Sequence, residues 1–303
     1  MKNTDVFEKA RKFIYRNARP IEFARWKYHF ENGSPEEVVK ILAMYQNEDG
    51  GFGHALEADN WNVNSTPITT WTAITYLREI GFPNCADAII QGILNYLDSG
   101  KDFAEGKWFN VVVGNNDYPH AIWWECKEPA GVPDDNPTVS LAGFLLKFAD
   151  KDSNLYKKAE EIASLAVNGF MENGLEEFHT LRCYCELLHY CEDIEDLTIF
   201  DRNAFQTGLY ETINRIVCRE PEKWFTEYVC RPSMFWEKGC SYIDQDLAEK
   251  EADMMIDRQL SDGSFPVTWQ WWTEYKEYEI SENWWKSCQI IENMLYLRGF
   301  SKI

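Results

Sequence analysis

The segment Gln46-Asn-Glu-Asp-Gly-Gly-Phe52 recurs near the other end of the chain as Gln259-Leu-Ser-Asp-Gly-Ser-Phe265, so the pattern Q-x-x-D-G-x-F occurs twice. Each copy follows a stretch with helical periodicity. We expect the glutamine to bond carbonyls left unpaired in the last helical turn, and the glycine to take a left-handed turn conformation. The aromatic ring would then pack between neighbouring helix pairs, so the pattern predicts a repeated structural turn.

Helix signals surround these turns. Thr66-Pro67 and Asn136-Pro137 each place a capping residue before a proline, and mostly small and apolar residues follow, which favours helices buried on most faces. A capping box at Ser34-Pro35-Glu36-Glu37 starts an amphipathic helix, which suits an outer position. Similar amphipathic stripes cover residues 86–97, 155–166, 178–188 and 205–216.

This spacing predicts one continuous domain over residues 1–303. Units of about seventy residues, each made of two helices with a turn and a loop, fit the distances between the repeated signals. Alternating strand patterns are scarce, and Val111-Val112-Val113 is the only plausible short strand. The fold class predicted from the sequence is therefore all-α.

Charge and composition exclude several partners. The 303 residues contain 30 Lys+Arg and 50 Asp+Glu, a net charge of −20, which repels nucleic acids and anionic membranes. The charged N-terminal segment has no apolar region typical of a signal peptide, and no apolar run is long enough to span a membrane. The nine cysteines lack zinc spacings. We expect a soluble cytoplasmic protein with reduced thiols.

The repeated turn resembles a known family. Gln46–Phe52 and Gln259–Phe265 are similar to the QW repeats of terpenoid cyclases and protein prenyltransferase β-subunits, in which phenylalanine often replaces the tryptophan. Degenerate copies lie near Gly106-Lys-Trp108 and Asn173-Gly-Leu175. The segment from Gly50 to Asp59, followed by Ser65-Thr-Pro, looks like a bacterial group described as prenyltransferase-like or squalene-cyclase-like.

The resemblance implies an α/α toroid, in which outer helices surround inner helices and a central cavity opens where the loops before the inner helices gather. It also implies an isoprenoid-type substrate. The chain departs from the family in two motifs, because it has neither the D-x-D-D acid motif of the cyclases nor the Asp-x-Cys zinc pair of the prenyltransferases. Asp134-Asp135 and Asp244-Gln245-Asp246 are the nearest acidic strings.

Carboxylates close to a histidine are the usual equipment of general acid/base catalysis, because their surroundings can separate their pKa values. The candidate catalytic residues are Glu57, Asp59, His54, Asp134 and Asp135. Asp134-Asp135-Asn136 is equally well interpreted as a cap for the helix that begins at Pro137. His54 and His120 are more simply interpreted as loop histidines with structural hydrogen bonds.

Aromatic and polar residues on the same loops are candidates for substrate contact. Tryptophan, with 13 residues, is unusually frequent, and its rings can contact isoprenoids, sugars or cations. Core packing accounts for at least half of these rings. The predicted substrate-binding residues are Trp61, His120, Trp123, Trp124, Glu125, Glu177, His179, Trp269, Trp271 and Trp272.

Three functions remain open at this point. The first is an enzyme that acts on an isoprenoid by carboxylic acid catalysis in an aromatic cavity. The second is a glycan-active hydrolase or lyase on an α/α barrel, and the third is a non-catalytic toroid that binds a small molecule or an oligosaccharide. No metal ligands are predicted, but a divalent cation bound by Asp134 and Asp135 is compatible with the preference of hard cations for oxygen.

Overall fold

The computed structural model describes residues 2–237 and 240–303, and helices dominate it. Helices hold 58% of the chain and strands 5%, which confirms the predicted predominance of α-structure. The described residues form eleven α-helices, which are α1 (Lys2–Asn17), α2 (Pro20–Phe30), α3 (Pro35–Leu42), α4 (Pro67–Glu79), α5 (Ala88–Asp98), α6 (Asp135–Phe148), α7 (Asn154–Asn173), α8 (Phe178–Cys191), α9 (Arg202–Ile216), α10 (Gln245–Arg258) and α11 (Tyr278–Gly299).

A small sheet was not predicted. Strand β2 (Lys107–Val111) pairs with β1 (Phe103–Ala104) and with β3 (Val132–Pro133), both antiparallel. The strand predicted at Val111–Val113 is therefore displaced, because a 3₁₀ turn already starts at Val113. A second, two-stranded ladder joins β4 (Trp236–Glu237) to β5 (Cys240–Ser241).

The chain divides into two compact units. One consists of Met1–Ile41 with Ile213–Ile303, and the other is Leu42–Thr212. The predicted single domain and its closure into a ring therefore stay predictions. None of the helices in the part of the chain that the structure describes is long and apolar enough to cross a membrane.

The two Q-x-x-D-G-x-F turns have the same hydrogen-bond pattern, one in each unit. In the first, Asn47 and Gly51 form the turn, and the Gly51 N–H donates to Asp49 Oδ1. In the second, Leu260 and Ser264 form the turn, and the Ser264 N–H donates to Asp262 Oδ1. The prediction of an equivalent turn is thus confirmed locally.

The acceptors of the glutamine were predicted wrongly. Gln46 Nε2 donates to Gly50 O, inside the turn, and to Ile89 O, in the first turn of α5. Gln259 Nε2 donates to Gly263 O and to Val6 O, in α1. The glutamine therefore fastens the turn to another helix instead of completing the end of its own.

The aromatic residue of the turn forms a second repeated contact, within residues 42–212. The Phe52 carbonyl accepts the N–H of Thr66, the capping residue of α4, and the Phe52 N–H donates to Thr70 Oγ1. The Trp108 carbonyl accepts the N–H of Asp134, the capping residue of α6, and the Trp108 N–H donates to Thr138 Oγ1. Trp108 thus repeats the contact that Phe52 makes with the start of the next helix.

Helix α6 is the centre of this unit, because it packs against α4, α7 and α8. Helices α4 and α6 are buried on most faces, as predicted for inner helices. Helix α8 is also buried on most faces, so its assignment as an amphipathic outer helix is wrong. The predicted apolar stripe at Phe178–Leu188 accounts for only part of the buried surface of α8, and cysteines and a carboxylate form the rest.

That carboxylate belongs to Glu186, which is 2% exposed. Its Oε2 accepts the Ser140 hydroxyl at 2.5 Å and the Trp71 indole N–H at 2.8 Å, and its Oε1 accepts Arg78 Nη2 at 2.9 Å. Helices α4, α6 and α8 are therefore joined by one buried, charge-assisted network.

Candidate functional site

The start of α6 carries Asp134 and Asp135. Asp134 caps α6 through its Oδ1, which accepts the Asn136 N–H at 2.8 Å, in agreement with the interpretation of Asp134–Asn136 as a cap; Asn136 has non-helical backbone angles, so the regular helix begins at Pro137. Burial raises the pKa of Asp134, and the charges of Asp135 and Glu177 add to this, although the Asn136 N–H and Lys107 act in the opposite direction. The carboxyl group of Asp134 thus binds a proton more readily than an ordinary aspartate.

Asp135 has two partners. Its Oδ1 lies 2.9 Å from Lys107 Nζ, and its Oδ2 accepts the Tyr184 hydroxyl at 3.2 Å. Burial raises the pKa of Tyr184 and the charge of Asp135 adds to that rise, so this hydroxyl stays protonated. Asp135 is therefore held as an ion-paired acceptor.

Glu177 caps α8, as its side chain accepts the N–H groups of His179 and Thr180 and the Thr180 hydroxyl. His179 stacks on Phe178 with ring centroids 4.2 Å apart. Burial lowers the pKa of His179, Glu177 opposes this and Arg182 adds to it. The lowered pKa favours the neutral form of this imidazole and makes it a weaker base than an ordinary histidine.

The packing of α6 against α8 brings these two helix starts within electrostatic reach of each other, as the influence of Glu177 on the Asp134 pKa indicates. We call Asp134, Asp135, Glu177 and His179 the acid cluster. It places Asp134, a carboxyl group with a raised pKa, and His179, an imidazole with a lowered pKa, at the starts of two packed helices.

The raised pKa of Asp134 gives a testable consequence for stability. A carboxyl group with a raised folded-state pKa stabilises the fold only below its unfolded pKa, and this contribution is lost as the pH rises through the folded pKa. Asp134→Asn keeps a capping side chain without the charge. We expect its melting temperature at pH 7 to equal or exceed that of the parent by up to about 2 °C, with the difference vanishing near pH 3.

Scanning calorimetry from pH 3 to pH 8 measures this difference. A melting temperature of Asp134→Asn well below that of the parent at pH 7 and equal to it at pH 3 would mean that the carboxylate form is the one the fold favours.

The loop that carries His54, Glu57, Asp59 and Trp61 and the loop that carries His120, Trp123, Trp124 and Glu125 are brought together. Asn60 and His120 form a β-bridge, flanked by bonds from Ala121 N–H to Asp59 O and from Trp61 N–H to Pro119 O. Asn115 Oδ1 accepts the side-chain amide N–H groups of both Asn60 and Asn62. A buried asparagine network fixes the approach of these two loops.

Within these loops Glu57 and Asp59 are 8% and 3% exposed, so both carboxylates are shielded from bulk water. His120 Nδ1 lies 2.6 Å from Tyr118 O, which makes Nδ1 the protonated nitrogen because a carbonyl only accepts. His54 Nε2 bonds Asn47 Oδ1 at 2.9 Å, in a backbone of positive φ. Both histidines thus have the structural hydrogen bonds expected of loop histidines.

The predicted contact residues around them differ in accessibility. Trp61 Nε1 donates to Ala58 O, and the Trp124 side chain is buried. Trp123 is 39% exposed, and Glu125 pairs with Lys127 at 3.4 Å on the surface. Of this set, Trp123 offers the most accessible ring.

The loop that carries Trp269, Trp271 and Trp272 belongs to the other unit. Trp271 is buried and Trp272 is 70% exposed, while Trp269 packs edge-on against Trp285 with ring centroids 5.4 Å apart. Its predicted convergence with the first two loops concerns two separate units, so it stays a prediction.

Among residues 2–237 and 240–303, no group of three or more His, Cys, Asp or Glu side chains could hold a metal ion. The cation considered for Asp134 and Asp135 gains no support, because one side chain caps a helix and the other pairs with Lys107. Eight cysteines of the described chain are free thiols.

Two residues of the acid cluster's surroundings, Lys107 and Tyr184, were not predicted. Lys107 lies in the degenerate turn Gly106-Lys-Trp108. Placing that turn beside the start of α6 could have indicated Lys107 as a neighbour of Asp135. Tyr184 carried no signal, since it lies within a helical apolar stretch.

Comparison with family models, curated proteins and solved structures gives no match to this chain, and the resemblance to terpenoid cyclases and prenyltransferases stays a prediction.

Proposed function

We propose that this chain is an α/α toroid of the terpenoid-cyclase and prenyltransferase type, and that it is an enzyme acting on an isoprenoid-type small molecule. Two features support the fold. The Gly-aromatic turn recurs with equivalent hydrogen bonds in residues 46–52 and 259–265. The aromatic contact to the next helix cap recurs at Phe52 and Trp108.

The acid cluster carries the proposal for the chemistry. Asp134 has a raised pKa and is the proton donor, and His179 has a lowered pKa and is the proton acceptor. Asp134 Oδ1 already accepts a backbone N–H, so the transferable proton resides on Oδ2. Burial, followed by the charges of Asp135 and Glu177, raises the pKa of Asp134, which favours the protonated donor.

The proposed reaction balances without a redox partner. The Asp134 carboxyl group transfers its proton to a carbon of a substrate double bond, which leaves a carboxylate and a carbocation. A neighbouring carbon then loses a proton to the His179 imidazole and a new double bond forms. The products are isomers of the substrate, either rearranged or cyclised.

The test is turnover of a substrate panel. Farnesol, squalene and farnesyl diphosphate are incubated with the protein, and products are separated by gas chromatography with mass detection. We expect an isomeric product from at least one isoprenoid, and a rate about 10²–10⁴-fold lower for Asp134→Asn, as is typical for loss of a general acid. Asp193→Asn, a change at an 83%-exposed carboxylate of an ion pair, is the control with an unchanged rate.

Unchanged turnover in Asp134→Asn would remove Asp134 as the donor. Binding of an isoprenoid without any product would instead favour a non-catalytic toroid, since Asp134 and Glu177 also cap helices.

A glycan-active enzyme is the second candidate, and the exposed rings of Trp123 and Trp272 favour it. Exposed indole faces suit stacking on sugar rings. Oligosaccharides are added to the panel, and their hydrolysis, abolished by Asp134→Asn, would select this candidate over the isoprenoid enzyme.

A further inference from the structure

Three polar atoms lie buried along one stripe of α11. They are the indole Nε1 of Trp285, the amide Oε1 of Gln289 and the amide Nδ2 of Asn293, each one helical turn from the next. None of the three atoms has a hydrogen-bond partner within residues 2–237 and 240–303. The side chains of Gln289 and Asn293 are only 7% and 4% exposed.

Leaving such groups unbonded is costly. A buried polar atom without a partner destabilises a fold by about 1–3 kcal/mol, and folded proteins contain few of them. Three on adjacent turns of one helix point to a partner that is not part of the described chain. Ordered water or a bound ligand supplies partners at such places.

The stripe has a shape and a chemical order. Steps of four residues rise about 6 Å, so the three groups extend over about 12 Å. The end at Trp285 is aromatic, because Trp269 packs against Trp285 and Tyr228 packs against Trp269 at 5.8 Å. The other end presents the two amides, an acceptor at Gln289 followed by a donor at Asn293.

A buried ion pair lies beside this helix, next to Cys288. Arg19 pairs with Glu22, and the Cys288 thiol donates to Glu22 Oε1 at 3.5 Å. The orphaned groups themselves are neutral and cannot compensate for the lost hydration of an ion. An uncharged ligand therefore fits them.

We propose that the Trp285–Gln289–Asn293 stripe binds an uncharged alcohol with an apolar body. The hydroxyl donates to Gln289 Oε1 and accepts from Asn293 Nδ2, the apolar body lies against the Trp285 and Trp269 rings, and an ordered water accepts the Trp285 indole N–H. This site goes beyond the proposed acid chemistry and does not require Asp134 to act as a proton donor.

The experiment uses the full chain and three probes of equal chain length, which are 1-decanol, decane and decyl phosphate. Binding is measured by isothermal titration calorimetry or native mass spectrometry. We expect 1-decanol to bind at least tenfold more tightly than either comparator. Gln289→Leu and Asn293→Leu should each weaken decanol binding about tenfold, the loss of one hydrogen bond. Asn283→Leu, which removes an exposed amide of the same helix, should leave it unchanged.

Folding is checked separately by urea denaturation without ligand. Replacement of an unbonded buried amide by leucine should leave the free energy of unfolding unchanged or raise it. Asp134→Asn should retain decanol binding, so loss of the acid chemistry and loss of this site are distinguishable.

Three results would each overturn the proposal. They are equal affinity for decanol and decane, decanol binding by Gln289→Leu equal to that of the parent, and no binding of any probe, which would mean that the partners are water only.

Discussion

Glu186→Ala is expected to lower the free energy of unfolding by about 3–5 kcal/mol, the cost typical of removing one partner from a buried ion pair. The change deletes the acceptor shared by Ser140, Trp71 and Arg78, which lie on α4 and α6. Burial makes the loss large, since water does not readily replace the carboxylate there.

Two further variants test the physical reason. Asp193→Ala removes one partner of an exposed ion pair between Lys147 of α6 and Asp193, which follows α8. This change should lower the free energy of unfolding by no more than about 0.5 kcal/mol. Glu186→Gln keeps the shape without the charge and should lie between the two. Urea denaturation of the three variants measures these differences, and equal costs for Glu186→Ala and Asp193→Ala would show that the network does not hold the helices together.

Gly50→Ala and Gly263→Ala are expected to cost about 3 kcal/mol each. Both glycines have positive φ, 88° and 98°, where an alanine is strained by about 1–2 kcal/mol. A Cβ would also lie 2.0 Å from Gly92 O or 2.2 Å from Lys9 O, which are backbone atoms that cannot rotate away. Displacing a packed helix adds about 1–3 kcal/mol.

Gly106→Ala is the matched control. Gly106 has φ 79° in the degenerate turn, yet a Cβ there would meet no atom within 4 Å. Gly106→Ala should therefore lower the free energy of unfolding only by the backbone strain of about 1–2 kcal/mol. Equal losses of stability in all three alanine variants would show that the turns do not dock closely on α5 and α1. The repeated turn would then not stabilise the fold through these contacts.

The sequence predicted the turns well because their chemistry is local. Thr66 before Pro67 caps α4 through its own hydroxyl, and Gly50 needs its left-handed backbone whatever surrounds it. The strands were missed or displaced for the opposite reason. Phe103–Ala104 and Val132–Pro133 are two residues long, too short for alternation, and exist only through pairing with β2.

The site was predicted in composition but not in grouping. Asp134, Asp135, Glu177 and His179 were candidates, and the packing of α6 on α8 assembles them into one cluster. Glu57 and Asp59 were candidates too, and their loop is held to the loop of His120 by the Asn60–His120 bridge. Which loops meet depends on contacts distant in sequence, and periodicity carries no information about these.

Gln289 and Asn293 could not be selected from the sequence. An amide on a helix is usually solvated, and its spacing does not reveal whether water or protein covers it. Their interest depends on burial without a partner, a property of the tertiary structure alone.

Proton transfer from Asp134 is the central claim, and isotope incorporation tests it most directly. The protein is incubated in D₂O with an isoprenoid that it converts, and the product is analysed by mass spectrometry. The account predicts one carbon-bound deuterium per product molecule, and no product above background with Asp134→Asn. A product without deuterium, or labelled product formed equally fast by Asp134→Asn, would contradict it.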